Sequence, residues 1–374
     1  MSAAIDSPVH LFAPLTQRSI TFPNRIAVSP MCQYSSIDGH ASDWHLVHLG
    51  SRAIGGAGAV ITEAAAVSPE GRISPGDLGI WSDDHIPMLS RITKFIAENG
   101  SVPGIQLAHA GRKASMPPGW DKPQSVPPEQ GGWTNVVGPT DTPYAPHYSH
   151  PHALDGAGMT RILADFASAT RRAAAAGFLL AEVHGAHGYL AHSFLSPLSN
   201  TRTDEYGGTL ANRARFPLEI IRTVRANFPA HLPVWARISA SDWVDGGLSI
   251  EDTIAYAKLI QAEGIDLIDV SSGGNDPRQQ VPVGPGYQVH FAEAIRREAA
   301  IPTGAVGMIT SPEQADHILR TGQADIVLLA RELLRNPYWP LHAAEALNHP
   351  GSWPKQYERA AKGKTERRHP LQRT

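Results

Sequence analysis

Eight short runs rich in β-branched and apolar residues recur along the chain, each separated from the next by a longer segment. They cover residues 25–28, 59–62, 104–107, 178–183, 233–238, 266–270, 302–305 and 325–329. The segments between them include the helix candidates 160–176, 210–227, 250–263 and 312–321. Ser249 and the pair Ser311-Pro312 supply start signals, and Gly177, Gly264 and Gly322 sit at the stops. Strands that alternate with crossover helices form a parallel sheet. Eight such units predict a single (β/α)8 barrel, and 374 residues suffice for one large domain of that kind. A doubly wound sheet is the alternative, but no Gly-x-Gly-x-x-Gly follows the first run, so a Rossmann dinucleotide site has no support.

Composition narrows the partners. With 42% hydrophobic residues and a mean hydropathy of -0.22, the chain reads as an ordinary globular protein. A net charge of -3 gives no reason to expect a nucleic-acid or membrane partner. No apolar run is long enough to cross a bilayer, and residues 1–8 lack the basic and apolar regions of a signal peptide, so a cytoplasmic location is expected. Cys32 is the only cysteine, which removes intrachain disulfides, Cys-ligated iron–sulfur clusters and Cys-cluster zinc sites.

Two regions break the alternation. Residues 115–158, between the third and fourth runs, are rich in Pro, Gly, Trp, Tyr and His. An insertion this long is either a lid or substrate wall, or a passive surface loop. The stretch after Trp353 carries Lys355, Arg359, Lys362, Lys364, Arg367, Arg368 and Arg373, and reads as a largely solvated, partly disordered tail. The expected organisation is therefore a barrel over 1–359, with 115–158 inserted in it and a basic tail at 360–374.

In a barrel, the carboxyl ends of the strands converge on one pocket. The fourth run ends in His184-Gly-Ala-His-Gly-Tyr189. His184 and His187 can both donate hydrogen bonds, and the Tyr189 phenol is protonated near neutral pH. That set suits polarisation of a carbonyl with a proton source nearby. It also matches two ligands of a metal site lacking a third, or a turn that merely contains histidine. The first run leads to Ser29-Pro30-Met31-Cys32 and Tyr34, the second to Glu63 and Ala64, the third to Gln106 and the fifth to Arg237. Gly-rich backbone after the sixth and seventh runs (Ser272, Gly307) and Ala330-Arg331 after the eighth look like a phosphate site, the usual position in this fold. The plainer readings are a surface ion pair of Arg331 with Glu332, and a salt bridge of Arg237 with Glu182 or Asp269. A phosphate on one side and a carbonyl clamp on the other leave room for a planar cofactor.

These stretches resemble the Old Yellow Enzyme family of FMN-dependent ene-reductases, nearest its bacterial xenobiotic reductase and thermophilic-like subgroup. The matching motifs include Ser29-Pro-Met-Cys-Gln-Tyr34, Gln106-Leu-Ala-His-Ala-Gly-Arg-Lys113, His184-Gly-Ala-His-Gly-Tyr-Leu190, Asp269-Val-Ser-Ser-Gly273 and Ala330-Arg-Glu-Leu-Leu-Arg-Asn-Pro337. The resemblance spans about 10–359 and implies a role for each position. Ser29, Pro30, Met31, Cys32, Ala64, Gln106, Arg237, Ser272, Gly307, Ala330 and Arg331 would hold FMN non-covalently. His184 and His187 would bind a carbonyl or nitro oxygen, Tyr189 would donate the proton, and Tyr34 would line the substrate pocket. The reaction implied is reduction of an activated C=C bond, with FMN reduced by NADPH or NADH and hydride passing from N5 to Cβ. Substrates would be enones, nitro compounds or quinones. Gln356-Tyr-Glu-Arg359 matches a C-terminal motif whose arginine enters a neighbouring subunit, which implies a homodimer or homotetramer with Arg359 as the finger. A metal-dependent barrel hydrolase and a non-catalytic phosphate-binding barrel are the readings from other classes.

Overall fold

All eight runs are strands in the computed structural model, which describes residues 9–363 and 365–371. They are β1 (Ile26–Val28), β2 (Ala59–Ala66), β3 (Val102–Ala108), β4 (Leu180–Gly185), β5 (Val234–Ser239), β6 (Leu267–Ser271), β7 (Thr303–Ala305) and β8 (Ile326–Leu329). Each pairs in parallel with its sequence neighbour, and β8 returns to β1 through Val327–Ile26, Leu328–Ala27 and Leu329–Val28. The sheet is a closed barrel rather than a doubly wound sheet. Every residue of these eight strands is buried, as expected where side chains fill the barrel on one face and meet helices on the other.

The helices are α1 (Asp43–Ile54), α2 (Ile86–Glu98), α3 (Gly156–Ala175), α4 (Leu190–Leu195), α5 (Leu210–Asn227), α6 (Ile250–Ala262), α7 (Val289–Ala299), α8 (Pro312–Arg320), α9 (Arg331–Arg335) and α10 (Trp339–Ala346). Ser249 and Ser311 cap α6 and α8 as their positions predict, each side chain accepting from the backbone N–H three residues on. Helix α3 begins earlier than the sequence pattern predicts, because Asp155 caps it by accepting from Gly158 N–H. No helix among the described residues is long and apolar enough to cross a membrane.

The amino end of the barrel is plugged. A hairpin of Leu15–Gln17 and Ile20–Phe22 crosses it. Trp235 donates Nε1–H to Gln17 Oε1 at 2.7 Å, Gln17 Nε2 donates to the Asp266 carbonyl, and Phe22 stacks on Trp235. Chemistry is therefore confined to the opposite mouth. There a register shift between Ile61 and Ala64 of β2 brings Ala64 level with Gln106 of β3, a bulge of the kind that re-aims side chains next to sites.

The insertion 115–158 is tied down rather than loose. Val126 N–H donates to the Ser115 carbonyl, Trp133 Nε1 donates to the Glu70 carbonyl, and Val137–Gly138 pairs with His152–Ala153. Most basic residues of the C-terminal stretch (Lys355, Arg359, Lys362, Arg367) are exposed, as expected, but Arg368 is half-buried and tied down. Arg368 donates to the carbonyls of Ala53 and Ile54 at the end of α1 and to that of Ser352, and Leu371 N–H donates to the Ala97 carbonyl. A guanidinium on the last carbonyls of a helix satisfies orphan acceptors and the negative end of the helix dipole. Composition alone shows the positive charge and not the carbonyls waiting for it. Lys364 and Arg373, and the opening residues 1–8, lie outside the described residues. A chain ending at Ala360 should lose about 1–3 kcal/mol of stability, the scale of hydrogen bonds to a charged group. Urea unfolding of the two forms would measure it, and equal midpoints would mean that the tail adds nothing.

Candidate active site

Strand β4 ends in a turn that lifts two imidazoles and a phenol into the open mouth. His184 is buried, and His187 and Tyr189 are half-buried. The rings of His184 and His187 meet edge to face at 5.2 Å, and those of His184 and Tyr189 at 4.9 Å. His187 holds a positive φ of 60°, an uncommon conformation for a residue other than glycine. Gly188 must be small, since a Cβ there would lie 2.3 Å from the Gly274 carbonyl oxygen. Two side chains stabilise the strained His187 backbone. Its N–H donates to Ser239 Oγ at 3.0 Å, and Lys113 Nζ donates to its carbonyl at 3.0 Å and to that of Gly274 at 2.9 Å.

Burial sets the protonation of this cluster. Desolvation, helped by the Arg237 charge, pushes both imidazoles well below their usual value, so they are neutral at pH 7. Ala186 N–H points at His184 Nδ1, which leaves the proton on Nε2. His187 Nε2 lies 2.7 Å from Ser271 Oγ. Burial also raises the Tyr189 phenol well above its usual value, with Cys32, Tyr34 and Asp77 adding to the effect. The phenol thus keeps its proton across the working range of pH. The same holds for Cys32, whose thiol is pushed well up by burial and by the carboxyls of Asp77 and Glu63. A thiol held protonated is a poor nucleophile.

Beneath this cluster the predicted residues form two buried polar groups. Gln106 donates Nε2–H to Glu182 Oε1 at 2.7 Å, Arg237 Nε lies 3.2 Å from Asp269 Oδ2, and Arg237 Nη1 donates to Ser29 Oγ at 3.1 Å. The salt bridge weighed against a functional Arg237 is therefore present, with Asp269. It does not exclude the other reading, because Arg237 also lines a cavity of about 200 Å³ together with Gly307, Ala330 and Arg331. Gly307 has φ +124°, and a Cβ on it would lie 3.0 Å from Gln288 Nε2 and 3.1 Å from Tyr287. Arg331 opens α9, and Glu332 pairs with Arg335 rather than with it. That leaves a guanidinium and a glycine cradle facing one cavity, as an anion requires. Ser272 donates to Gln288 Oε1 at 2.6 Å, so it supports this wall.

Several residues escaped the sequence reading. Tyr287, Gln288 and Met308 line the same cavity, beside Ser271 from the motif that ends the sixth run. The signal for Gln288 was its place just ahead of α7 at the carboxyl side of the barrel. Lys113 was quoted only as part of a motif, yet it lies 5.3 Å from the Tyr189 ring and 4.4 Å from that of Tyr144. From the insertion, Trp120 packs edge-on against Tyr34 at 5.2 Å. Trp120 and Tyr144 thus bring the insertion into contact with Tyr34 and Lys113. Arg359 lies exposed on the turn Lys355–Ala360. Among the described residues, no group of three or more His, Cys, Asp or Glu is placed to hold a metal.

The model of the NADH:flavin oxidoreductase / NADH oxidase family matches residues 10–349. An NADPH dehydrogenase of Geobacillus sp. (strain WCH70) is 48% identical over 351 residues, 93% of this chain and 98% of that protein. An NADPH dehydrogenase of Bacillus subtilis (strain 168) is 46% identical over 351 residues, again 93% and 98% of the two chains. Among solved structures, morphinone reductase in complex with tetrahydroNAD superposes with a TM-score of 0.75 at 25% identity, covering 93% of each chain. A 2-naphthoyl-CoA reductase complex gives a TM-score of 0.81 at 25% identity, covering 90% of this chain and 52% of that one.

The donor set fits FMN. Gly307, Ala330 and Arg331 offer a phosphate cradle that a Cβ would fill. Gln106 and Arg237 are buried polar groups suited to an amide-like ring edge and to the negative charge of its reduced form. Gly307→Ala should strain this loop by about 1–3 kcal/mol and weaken FMN binding roughly ten- to hundredfold. Fluorescence titration of apoprotein with FMN measures this, and unchanged affinity would place the phosphate elsewhere.

Proposed function

Because the chain belongs to the NADH:flavin oxidoreductase / NADH oxidase family, the Old Yellow Enzyme family, and is an FMN-dependent oxidoreductase, we propose that it reduces the activated C=C bond of α,β-unsaturated carbonyl compounds at the expense of NAD(P)H. Nitro compounds and quinones fit the same donor set. The observation that carries this reading is the His184–His187–Tyr189 cluster, two neutral imidazoles and a protonated phenol in contact above Gln106 and Arg237. FMN, which Gln106, Arg237, Gly307 and Arg331 would hold, would supply the redox chemistry, the passage of hydride from NAD(P)H to the alkene β-carbon.

The chain's own residues do the rest. His184 donates its Nε2–H to the substrate's carbonyl oxygen. His187, whose Nε2 lies 2.7 Å from Ser271 Oγ, is the second donor in the tautomer that carries its proton on Nδ1. Two fixed donors on an oxygen that gains negative charge stabilise the transition state more than the ground state. Neutral imidazoles can do this without holding a cation in a buried pocket, where it would be costly. Tyr189 holds its proton at the phenol oxygen until the α-carbon needs it. Lys113 fixes the backbone that carries His187, and Tyr34 with Trp120 closes the mouth against water. Cys32 contributes packing and a thiol held protonated. Arg359, exposed on its turn, completes the mouth of a second copy in a homodimer or homotetramer.

Removing one donor of this kind costs on the order of 10²-fold or more. His184→Ala should therefore slow re-oxidation of the reduced enzyme by 2-cyclohexenone by about that factor, with bleaching by NADPH much less affected. Stopped-flow absorbance separates the two half-reactions, and equal losses in both would remove His184 from the carbonyl clamp. Tyr189→Phe should likewise suppress enone reduction while leaving reduction by NADPH in place. Wild-type rates with 2-cyclohexenone would mean that solvent supplies the proton.

A further inference from the structure

Glu182 and Asp269 are fully buried inside the barrel, and no step of the mechanism uses either of them. Glu182 comes from β4 and Asp269 from β6, and Glu182 Oε2 and both Asp269 carboxyl oxygens are buried with no hydrogen-bond partner. Ionised carboxylates are acceptors only, so these oxygens stay unpaired unless one of the two carboxyls carries a proton. The neighbours decide which. Gln106 on β3 donates to Glu182 Oε1, and no donor reaches Glu182 Oε2. Arg237 on β5 lies 3.2 Å from Asp269 Oδ2 and makes no such contact with Glu182. The guanidinium holds the charge on Asp269, and the proton falls to Glu182.

We propose that Glu182 is a neutral carboxylic acid that shares its proton with the Asp269 carboxylate, and that this pair positions Gln106 and Arg237 and sets the charge beneath the isoalloxazine. Both are positioning residues, since they act through Gln106 and Arg237. Burial and the Asp269 charge push the Glu182 carboxyl up to about 8, with Arg237 and Gln106 opposing. Burial also raises Asp269, while the Arg237 charge opposes the rise. Arg237 on β5 and Asp269 on β6 are the charged groups that face Glu182, with the Gln106 amide on β3 and the neutral His184 imidazole on its own strand.

With one shared proton the buried cluster is neutral overall, one guanidinium against one carboxylate. If Glu182 ionised, an uncompensated negative charge would lie beside a ring that itself gains negative charge on reduction. Two buried carboxylates rarely share a site without keeping a proton between them. The proton also fixes Gln106. While Glu182 Oε1 accepts the amide N–H, the Gln106 carbonyl is left free for a donor on the cofactor edge.

The proposal rests on FMN binding above Gln106 and Arg237 as read here, and not on the choice of substrate. Infrared spectra of the FMN-loaded enzyme with ¹³C-labelled glutamate carboxyls read the proton directly. Wild type at pH 7 should show a label-sensitive carboxylic-acid band, lost as pH rises past about 8 and absent from Glu182→Gln. Asp269→Asn keeps Glu182 but removes the charge that holds its proton, so the band should vanish at pH 7. No label-sensitive acid band in wild type, or one that survives in Glu182→Gln, overturns the proposal. Should Asp269→Asn fail to fold, the first pair of spectra still decides. The flavin midpoint potential is the second readout. Loss of the Glu182 proton disfavours reduction, so the wild-type potential should fall through an extra step near pH 8 that Glu182→Gln lacks, and superimposable curves would refute the electrostatic role. Neither readout needs an alkene, so a failure here and a failure of ene-reduction are separate results.

Discussion

Two short chains of polar side chains cross the inside of the barrel and draw on five of its strands near their carboxyl ends. Gln106 on β3 donates to Glu182 on β4, and Arg237 on β5 joins Asp269 on β6 to Ser29 just past β1. Every member is buried. Breaking such a chain at one link leaves a buried charge or donor unpaired, which costs several kcal/mol, whereas the intact chain mainly specifies position. Together the two form the floor on which the anion cradle and the imidazole pair stand. A barrel filled only by aliphatic side chains would be as closed, but it would present nothing polar to a cofactor.

Above that floor the two functional halves come from opposite sides of the mouth. The β7 and β8 ends provide Gly307 and Arg331, where backbone space and a guanidinium matter. The β4 end provides His184, His187 and Tyr189, where a positive φ and Lys113 hold the rings. Burial keeps the imidazoles neutral and the phenol protonated, so the β4 end offers hydrogen-bond donors rather than charges.

Much of this was legible in the sequence because it depends on periodicity and on strand ends. Eight apolar runs with capped crossovers admit few closed arrangements, and a residue at the carboxyl end of a barrel strand has one place to go. His184, Gln106, Arg237 and Gly307 were found in that way. What escaped depends on contacts between segments far apart in the chain. Lys113 reaches the His187 carbonyl across 74 residues, and nothing in its own neighbourhood signals that. Trp120 acquires its meaning only when the insertion folds over Tyr34. Arg368 reads in the sequence as part of a solvated basic stretch, and only the fold sets the end of α1 beside it. Glu182 and Asp269 read as alternative partners for Arg237, and only the fold shows that Asp269 is the one that pairs with it.

The most direct measurement is an anaerobic visible spectrum of the purified protein, taken first alone, then with NADPH, then with 2-cyclohexenone. The account predicts an oxidised-flavin spectrum that bleaches with NADPH and returns in full with the enone, as cyclohexanone forms. A protein that bleaches with NADPH and stays bleached with the enone would contradict the assignment of the His184–His187–Tyr189 cluster to carbonyl polarisation.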